Sequence, residues 1–386
     1  MGIIGKVCSK GIWDDSIPGI IFDEKGASNF CKLQEQMMQD YPRGSKGELD
    51  WNNLVSEMKE AGKNNKYDCI IGVSGGVDSS YLLHIAHENG LRPLAVNLDN
   101  GFNSEIAVQN IYKVTKKLNI DLETYVIDYE EIKDLLRSYM KASMPWIDGP
   151  TDLAIKAVMY KVANLVDVKF ILRGNDFRSE GKQPKEWTYS DDKQLKYLHK
   201  RFGNGIKLKT YPTLPYYKIA YFGLVKKIRD VRPFYYLDYQ KQMAKDLLVE
   251  LYDWRDYGGH HHENLFTKFA MAYWLPLKFG IDKRKINLSA QVLSNAISRE
   301  KALELISQSF ATEEDLEKLK EYTLKKLEIN QSEFEFIWNS PNKNGFDYPS
   351  NYNLIFGLIN NFGFVIKKIF NFKPMAISAN EILYKK

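Results

Sequence analysis

The chain of 386 residues has only three cysteines, Cys8, Cys31 and Cys69. They lie far apart and lack the spacing of a secreted disulfide scaffold, so a reducing cytoplasm is the expected compartment. Long apolar runs are missing as well: no stretch approaches the roughly 18 consecutive apolar residues of a spanning helix, and no transmembrane segment is expected. The nearest, NLIFGLINNFGFVIKKIFNF at 353–372, is interrupted by Asn360, Asn361, Gly363, Lys367 and Lys368 and reads as a C-terminal helix packed on the body, with a partner-binding or membrane-surface helix as the alternative. The opening MGIIGKVCSKGIWDD runs from a short apolar stretch into an acidic pair, unlike a signal peptide, and Lys6 breaks the myristoylation pattern that Gly2 begins. Charge of one sign is scarce: 54 Lys and Arg against 49 Asp and Glu leave +5, too little at this length to demand a polyanionic partner. Neither G-x-x-x-x-G-K-[ST] nor G-x-G-x-x-G occurs. Internal repeats and low-complexity tracts are also absent.

The composition, 44% hydrophobic and 27% charged, is that of an ordinary globular protein. YDCIIGV at 67–73 is a continuous apolar run, as in a strand buried on both faces, and a glycine turn and a helical pattern ending at Gly90 follow it. Further strands are predicted near 93–98, 122–127 and 168–173, with helices near 103–118, 129–141 and 151–166. This alternation predicts an α/β fold with a parallel sheet and helices on both faces. Ligands of such sheets bind at the carboxyl ends of the strands, so Ser74–Ser80, Asp99–Ser104 and Gly174–Glu180 should converge. Beyond about 185 helices are predicted near 192–202, 216–229, 239–252, 263–278, 299–308 and 311–327. Residues 1–45 read as an irregular head around one short strand, 46–290 as the α/β domain with a helical insertion, and 291–386 as a helical C-terminal region.

The first turn, SGGVDSS at 74–80, carries the chemistry. Ser74, Gly75 and Gly76 leave backbone N–H groups free to point into one concavity, the following helix adds its positive end, and Ser79 and Ser80 add hydroxyls; such a nest binds a phosphate. A helix start capped by Asp78 is the plain structural alternative. No lysine for transfer of a terminal phosphoryl group is present. After the second strand, NLDNGFNSE carries DNG, a strong turn.

SGGVDSS resembles the PP-loop of the ATP pyrophosphatase superfamily, which grips the pyrophosphate released when ATP adenylates a substrate; the resemblance implies an adenine-nucleotide hydrolase-like fold with ATP and Mg²⁺. Three further stretches, ILRGNDFRSEG (171–181), WRDYGGHHHENLFTKF (254–269) and FGIDKRKINLS (279–289), are similar to motifs of the N-acetyl sugar amidotransferase family, over about residues 7–305. That resemblance implies adenylation of an acetamido oxygen and its replacement by ammonia, giving an acetamidino sugar for lipopolysaccharide or a related glycan. The chain has no plausible glutaminase cysteine, so a separate glutaminase subunit is the implied ammonia source. For the site, the ATP-binding residues are expected to be Ser74, Gly75, Gly76, Asp78, Ser79, Ser80, Asn97, Asp99 and Gly174. Catalytic groups are expected among Asp78, Asp176, Glu180, Lys268, Lys283 and Arg284, and substrate contacts at His261, His262 and Glu263. Mg²⁺ is expected through Asp78 and Asp176.

The head departs from the family, whose members often carry C-x-x-C twice, a zinc knuckle. Here Gly11 and Ser28 stand where two ligands belong, and two thiolates cannot close a four-ligand site, so no zinc is expected. Two other readings remain open: a tRNA-thiolating enzyme, which would want a basic surface and a persulfide cysteine near the loop, and an inactive nucleotide-binding interaction subunit. No nucleic-acid partner is expected, because Cys69 lies within the predicted strand and the net charge is modest.

Overall fold

The apolar run after Asp68 forms β1 (Cys69–Gly72), the middle of a five-stranded sheet in a computed structural model that describes residues 2–258, 263–370 and 379–384. The other strands are β2 (Pro93–Asp99), β3 (Leu122–Val126), β4 (Phe170–Leu172) and β5 (Arg229–Val231), in the order β3-β2-β1-β4-β5. All neighbours are parallel; Ile70, for instance, stands opposite Leu94 on one side and Ile171 on the other. The period-two side-chain pattern divides β1 between two cores. Cys69 and Ile71 pack with α1 (Ser45–Gly62), α2 (Val77–Glu88), α3 (Glu105–Leu118) and the helix Lys241–Tyr252, whereas Ile70 packs on α5 (Gly149–Leu165). Helices thus cover both faces, as the strand–helix alternation predicts. The edge strand β3 exposes Leu122 and Val126.

A third core joins α4 (Tyr129–Lys141) to the chain beyond 265: Leu135, Tyr139, Phe269 and Trp274 share it with Leu324, Phe334 and Ile337 of the helices Glu313–Lys326 and Gln331–Asn339.

Three predicted segments differ. The 216–229 helix is instead a short helix, Tyr216–Ala220, passing into a π-type turn, Tyr221–Val225, and then β5. Lys227 in the left-handed region (φ 56°) ends the helical path, and three residues of strand are too few for periodicity to reveal. The head holds a helix, Asn29–Asp40, capped by the Ser28 hydroxyl on the Cys31 N–H, and isolated bridges Val7–Asp14 and Phe22–Ser28 where one short strand is predicted. The 263–278 helix breaks into Leu265–Phe269 and a π-type stretch, Ala270–Phe279, that contains Pro276.

The head also shows how the degenerate knuckle is filled. Cys8 and Cys31 are both buried and adjoin; hydrogen bonds from Cys31, and then from Ser28, pull the Cys8 thiol below the usual thiol range. A Cβ at Gly11 would stand 2.7 Å from the Trp13 ring, so the indole takes the volume a third ligand would need. Ser28 spends its hydroxyl on the helix cap. These residues do not fit a zinc ion.

Candidate active site

The turn after β1 and the turn after β4 meet where the strand order reverses, which is the ligand crevice of doubly wound sheets. Gly75 has φ +80°, and a Cβ there would lie 2.3 Å from the Ala107 carbonyl oxygen, so only glycine fits. Its own carbonyl is drawn into the body by the Trp254 indole N–H (3.1 Å) and the Asn110 amide (3.4 Å). Gly76 is the N-cap of α2 and has no side chain with which to cap it. Asp78 therefore lies inside the first turn and is not a cap. The start of α2, with its positive dipole end, opens on a cavity of about 480 Å³ lined by Ser74, Gly76, Asp78 and Ser79. The Val77 N–H faces the Tyr257 hydroxyl at this mouth. Ser74 is braced from three sides: its N–H donates to Ser79 Oγ (3.2 Å), its Oγ accepts from Gly76 N–H (3.3 Å), and its hydroxyl reaches Glu263 Oε1 at 3.3 Å.

Asp78 accepts a hydrogen bond from the Tyr239 hydroxyl and lies 3.4 Å from Lys241 Nζ. Burial, reinforced by the Asp78 charge, holds the Tyr239 proton far above its usual range, so Tyr239 stays a donor to this carboxylate. Gly174 packs so closely on Asp78 that a Cβ would meet its carbonyl carbon at 2.9 Å.

Beside the loop the cavity has an apolar stretch made by Gly72, Val96 and Leu98 of the sheet and by Ile155, Val158 and Met159 of α5, with Asn97 at its edge. Asn100 ties the second turn to two other walls, donating to Thr151 Oγ1 and accepting from Asn264 Nδ2, both at 3.0 Å. Asn264 caps the helix Leu265–Phe269, and the Ser104 N–H donates to the Glu263 carbonyl at 2.8 Å, which seats Glu263 and Asn264 against the turn after β2. The remaining wall combines Asp148 and Asp152 at the start of α5 with Glu180, Thr267 and Lys283. Thr267 donates to Asp148 Oδ2 (2.5 Å), the Trp146 indole donates to Asp152 Oδ2 (2.7 Å), and the Lys283 ammonium lies 4.0 Å from the Trp146 ring centroid. Burial lowers the Lys283 pKa, against the pull of Asp152, Glu180 and Asp148.

Of the predicted site residues, Ser74, Gly76, Asp78, Ser79, Asn97, Gly174, Glu180, Glu263 and Lys283 line this one cavity. Six do not. Gly75 is turned into the body as described, and Ser80 is buried within α2. Asp99 closes its own turn by accepting from the Gly101 N–H at 2.8 Å. Asp176, 2% exposed, caps the short helix Phe177–Glu180 and pairs with Arg43 at 3.3 Å, so it cannot ligate Mg²⁺ in the cavity. Lys268 follows Asn264 by one helical turn and lies outside the lining. Arg284 is held by Asp282 (2.8 Å), by the Gln308 carbonyl (2.8 Å) and over the Phe310 ring (3.9 Å), where it complements the end of the helix Arg299–Ser307. His261 and His262 lie outside the described residues. Among the described residues no group of three or more His, Cys, Asp or Glu side chains has metal-holding geometry.

Sequence reasoning misses Trp146, Asp148, Thr151, Asp152, Lys156 and Arg173. WIDGPTD carries the signal for the first four: Gly149 and Pro150 open a helix between two acids spaced i, i+4, which share a face. Arg173 directly follows β4 and is found by starting the carboxyl-end rule one residue earlier.

Against known proteins, residues 263–360 match the family model described as LPS biosynthesis protein WbpG-like, C-terminal domain. An uncharacterised protein of Methanocaldococcus jannaschii is 29% identical over 141 residues, 36% of this chain and 49% of that one, so the match spans about half the relative's length. Among solved structures, the chain is similar to an NMN synthetase from Francisella tularensis (14% identity, 72% of this chain and 92% of that one, TM-score 0.32). It is also similar to the U34-tRNA thiolase NcsA from Methanococcus maripaludis (13%, 78% and 89%, 0.32). No helix among the described residues is long and apolar enough to cross a membrane. Residues 263–360, which bring Glu263, Asn264, Thr267 and Lys283 to the cavity wall, are thus similar to the WbpG-like C-terminal domain, over a stretch that overlaps the motifs at 254–289.

Proposed function

We propose that the chain is an ATP-dependent, AMP- and pyrophosphate-forming amidotransferase acting in the cytoplasm on an N-acetylated sugar, with ammonia delivered by a separate glutaminase subunit. One observation carries the reading: a helix start behind a glycine loop opens on the same cavity to which the stretch similar to the WbpG-like domain contributes a wall. The loop suits the pyrophosphate of ATP, because the N-terminal end of a helix favours anions and the Ser74 and Ser79 hydroxyls stand beside it. The apolar stretch between the sheet and α5 suits the adenine. Mg²⁺ is commonly held by one or two carboxylates together with substrate phosphates, and Asp78 is the carboxylate placed for that at the loop.

An amide carbon is a poor electrophile until its oxygen becomes a leaving group. The acetamido oxygen attacks the α-phosphorus, the bond to the bridging oxygen breaks, and pyrophosphate departs, leaving an O-adenylyl imidate. Ammonia adds to the imidate carbon, AMP departs with the C–O bonding pair, and one proton is released as the amidinium forms. The protein's share is positioning and fixed electrostatics: donors for the departing pyrophosphate, the Lys283 cation on the cavity wall, and walls that exclude water.

The test is AMP and pyrophosphate release with ammonium chloride and diacetamido sugar nucleotides. Ser74→Ala should lower turnover about 10²-fold, by analogy with loss of one transition-state donor, and Asp78→Ala at least as much. ADP as the product, or release that ignores the sugar, rejects the reading.

A further inference from the structure

At the carboxyl ends of β4 and β5 lies a group of cations that the loop chemistry does not use. Arg173 follows β4 and Arg232 follows β5. Lys156 on α5 faces both arginines, and Lys182, in the chain after Phe177–Glu180, lies within electrostatic reach of Arg232. Asp230 pairs with Arg173 at 2.7 Å and reaches Arg232 only at 3.9 Å, and Glu180 is the other carboxylate bearing on Arg232. Arg173 Nη2 is buried without a hydrogen-bond partner. Among the described residues, no ion pair is formed by Lys156 or Lys182; burial lowers both pKa values, that of Lys182 to about 8. Half-buried cations gathered beside few carboxylates repel one another and lose part of their hydration, so the arrangement is better satisfied once an anion joins it.

Its position says which anion. Lys156 and Arg173 line the main cavity, and Lys156 also lines an adjoining pocket of about 50 Å³ that includes Tyr211, Thr213 and Tyr216. Of the four cations, Lys156 and Arg173 thus face the main cavity directly, while the smaller pocket also holds Asp191 and Asp192. We propose that Lys156, Arg173, Lys182 and Arg232 form an oxyanion subsite for the acceptor substrate, so that the acetamido compound is recognised as a phosphate ester, a diphosphate ester or a carboxylate and not as a neutral sugar. Arg173 and Arg232 present the planar donors suited to such groups, and the lysines add point charge. The inference rests on the proposed reading only for the identity of the acceptor.

Calorimetry on the full chain, saturated with α,β-methylene-ATP and Mg²⁺ so that the loop is filled, tests it. The probes are inorganic pyrophosphate, UDP-N-acetylglucosamine, N-acetylneuraminate and neutral N-acetylglucosamine. At least one charged probe should bind tenfold or more tighter than the neutral sugar, and the diphosphate and carboxylate arms tell which oxyanion is preferred. Lys156→Gln and Arg232→Met should each weaken the preferred probe at least tenfold, and more than they weaken the ATP analogue. If Arg232→Met fails to fold by thermal melting, Lys156→Gln alone decides. Absence of charged-probe binding, indifference to Lys156→Gln, or an equal loss of the ATP analogue overturns the proposal. Failure of AMP formation while oxyanion binding holds removes the sugar reading and leaves the subsite standing.

Discussion

Asp176 is a carboxyl whose work is done behind the cavity. Burial raises its pKa to about 6, outweighing the opposing pull of Arg43 and the Arg178 N–H, and the Asp78 charge adds to the rise. The folded chain therefore keeps this proton up to about pH 6, whereas an unfolded chain releases it near pH 4. Between those values the folded state binds more protons, so this group's contribution to stability is present at low pH and is lost as pH rises through about 6. Urea titrations of the parent chain and Asp176→Asn should show the parent gaining about 1 kcal/mol relative to the variant on going from pH 7 to pH 5. An unchanged difference would mean that the carboxyl titrates normally. Sequence alone offered Asp176 and Glu180 as equals after the same strand; the helix cap and Arg43 separate them, and neither is visible in local pattern.

At the scale of elements, the helix Arg284–Leu293 anchors the head. Lys285 on that helix is 2% exposed and lies 2.6 Å from Asp14, which is 0% exposed and also accepts from the Ile4 N–H and the Ser16 hydroxyl. The Ser289 hydroxyl accepts from the Ile12 N–H at 2.9 Å. Removing one member of a buried ion pair leaves the other charge unpaired, which typically costs about 3–5 kcal/mol. Lys285→Met should lose that much in chemical denaturation, and Asp14→Asn/Lys285→Met should recover part of it. A loss below about 1 kcal/mol would show that water reaches the pair. FGIDKRKINLS in the sequence suggested phosphate-binding cations at Lys283 and Arg284; the structure turns Lys283 to the cavity, Lys285 to the head and Arg284 to a neighbouring helix end.

At the scale of the molecule, the helices Glu313–Lys326 and Gln331–Asn339 are part of the body. Arg137 of α4 makes a bidentate contact with Glu333 (2.9 and 3.0 Å), and Lys326 donates to the Gly101 carbonyl in the turn after β2 at 2.9 Å. Phe334 is 5% exposed in the core shared with α4. Phe334→Ala should cost about 3–5 kcal/mol, the usual loss for a large core side chain. The accompanying fall in melting temperature should be a single cooperative transition; a second, separate transition would mean that this region unfolds by itself.

Local order determined the strand, turn and helix on which the site is built, because backbone conformation at Ser74–Ser80 depends on residues adjacent in the chain: an apolar strand, two glycines and the helix that starts behind them. The same local information fixed the parallel sheet through its alternation of buried strands and amphipathic helices. Which charges face the cavity depended on tertiary structure, since Arg173, Lys156 and Lys283 come from separate elements whose relative rotation is set by core packing. Charge partners such as Arg43 for Asp176, 133 residues away, cannot be read from spacing, because Coulomb and desolvation energies depend on distance and burial in space.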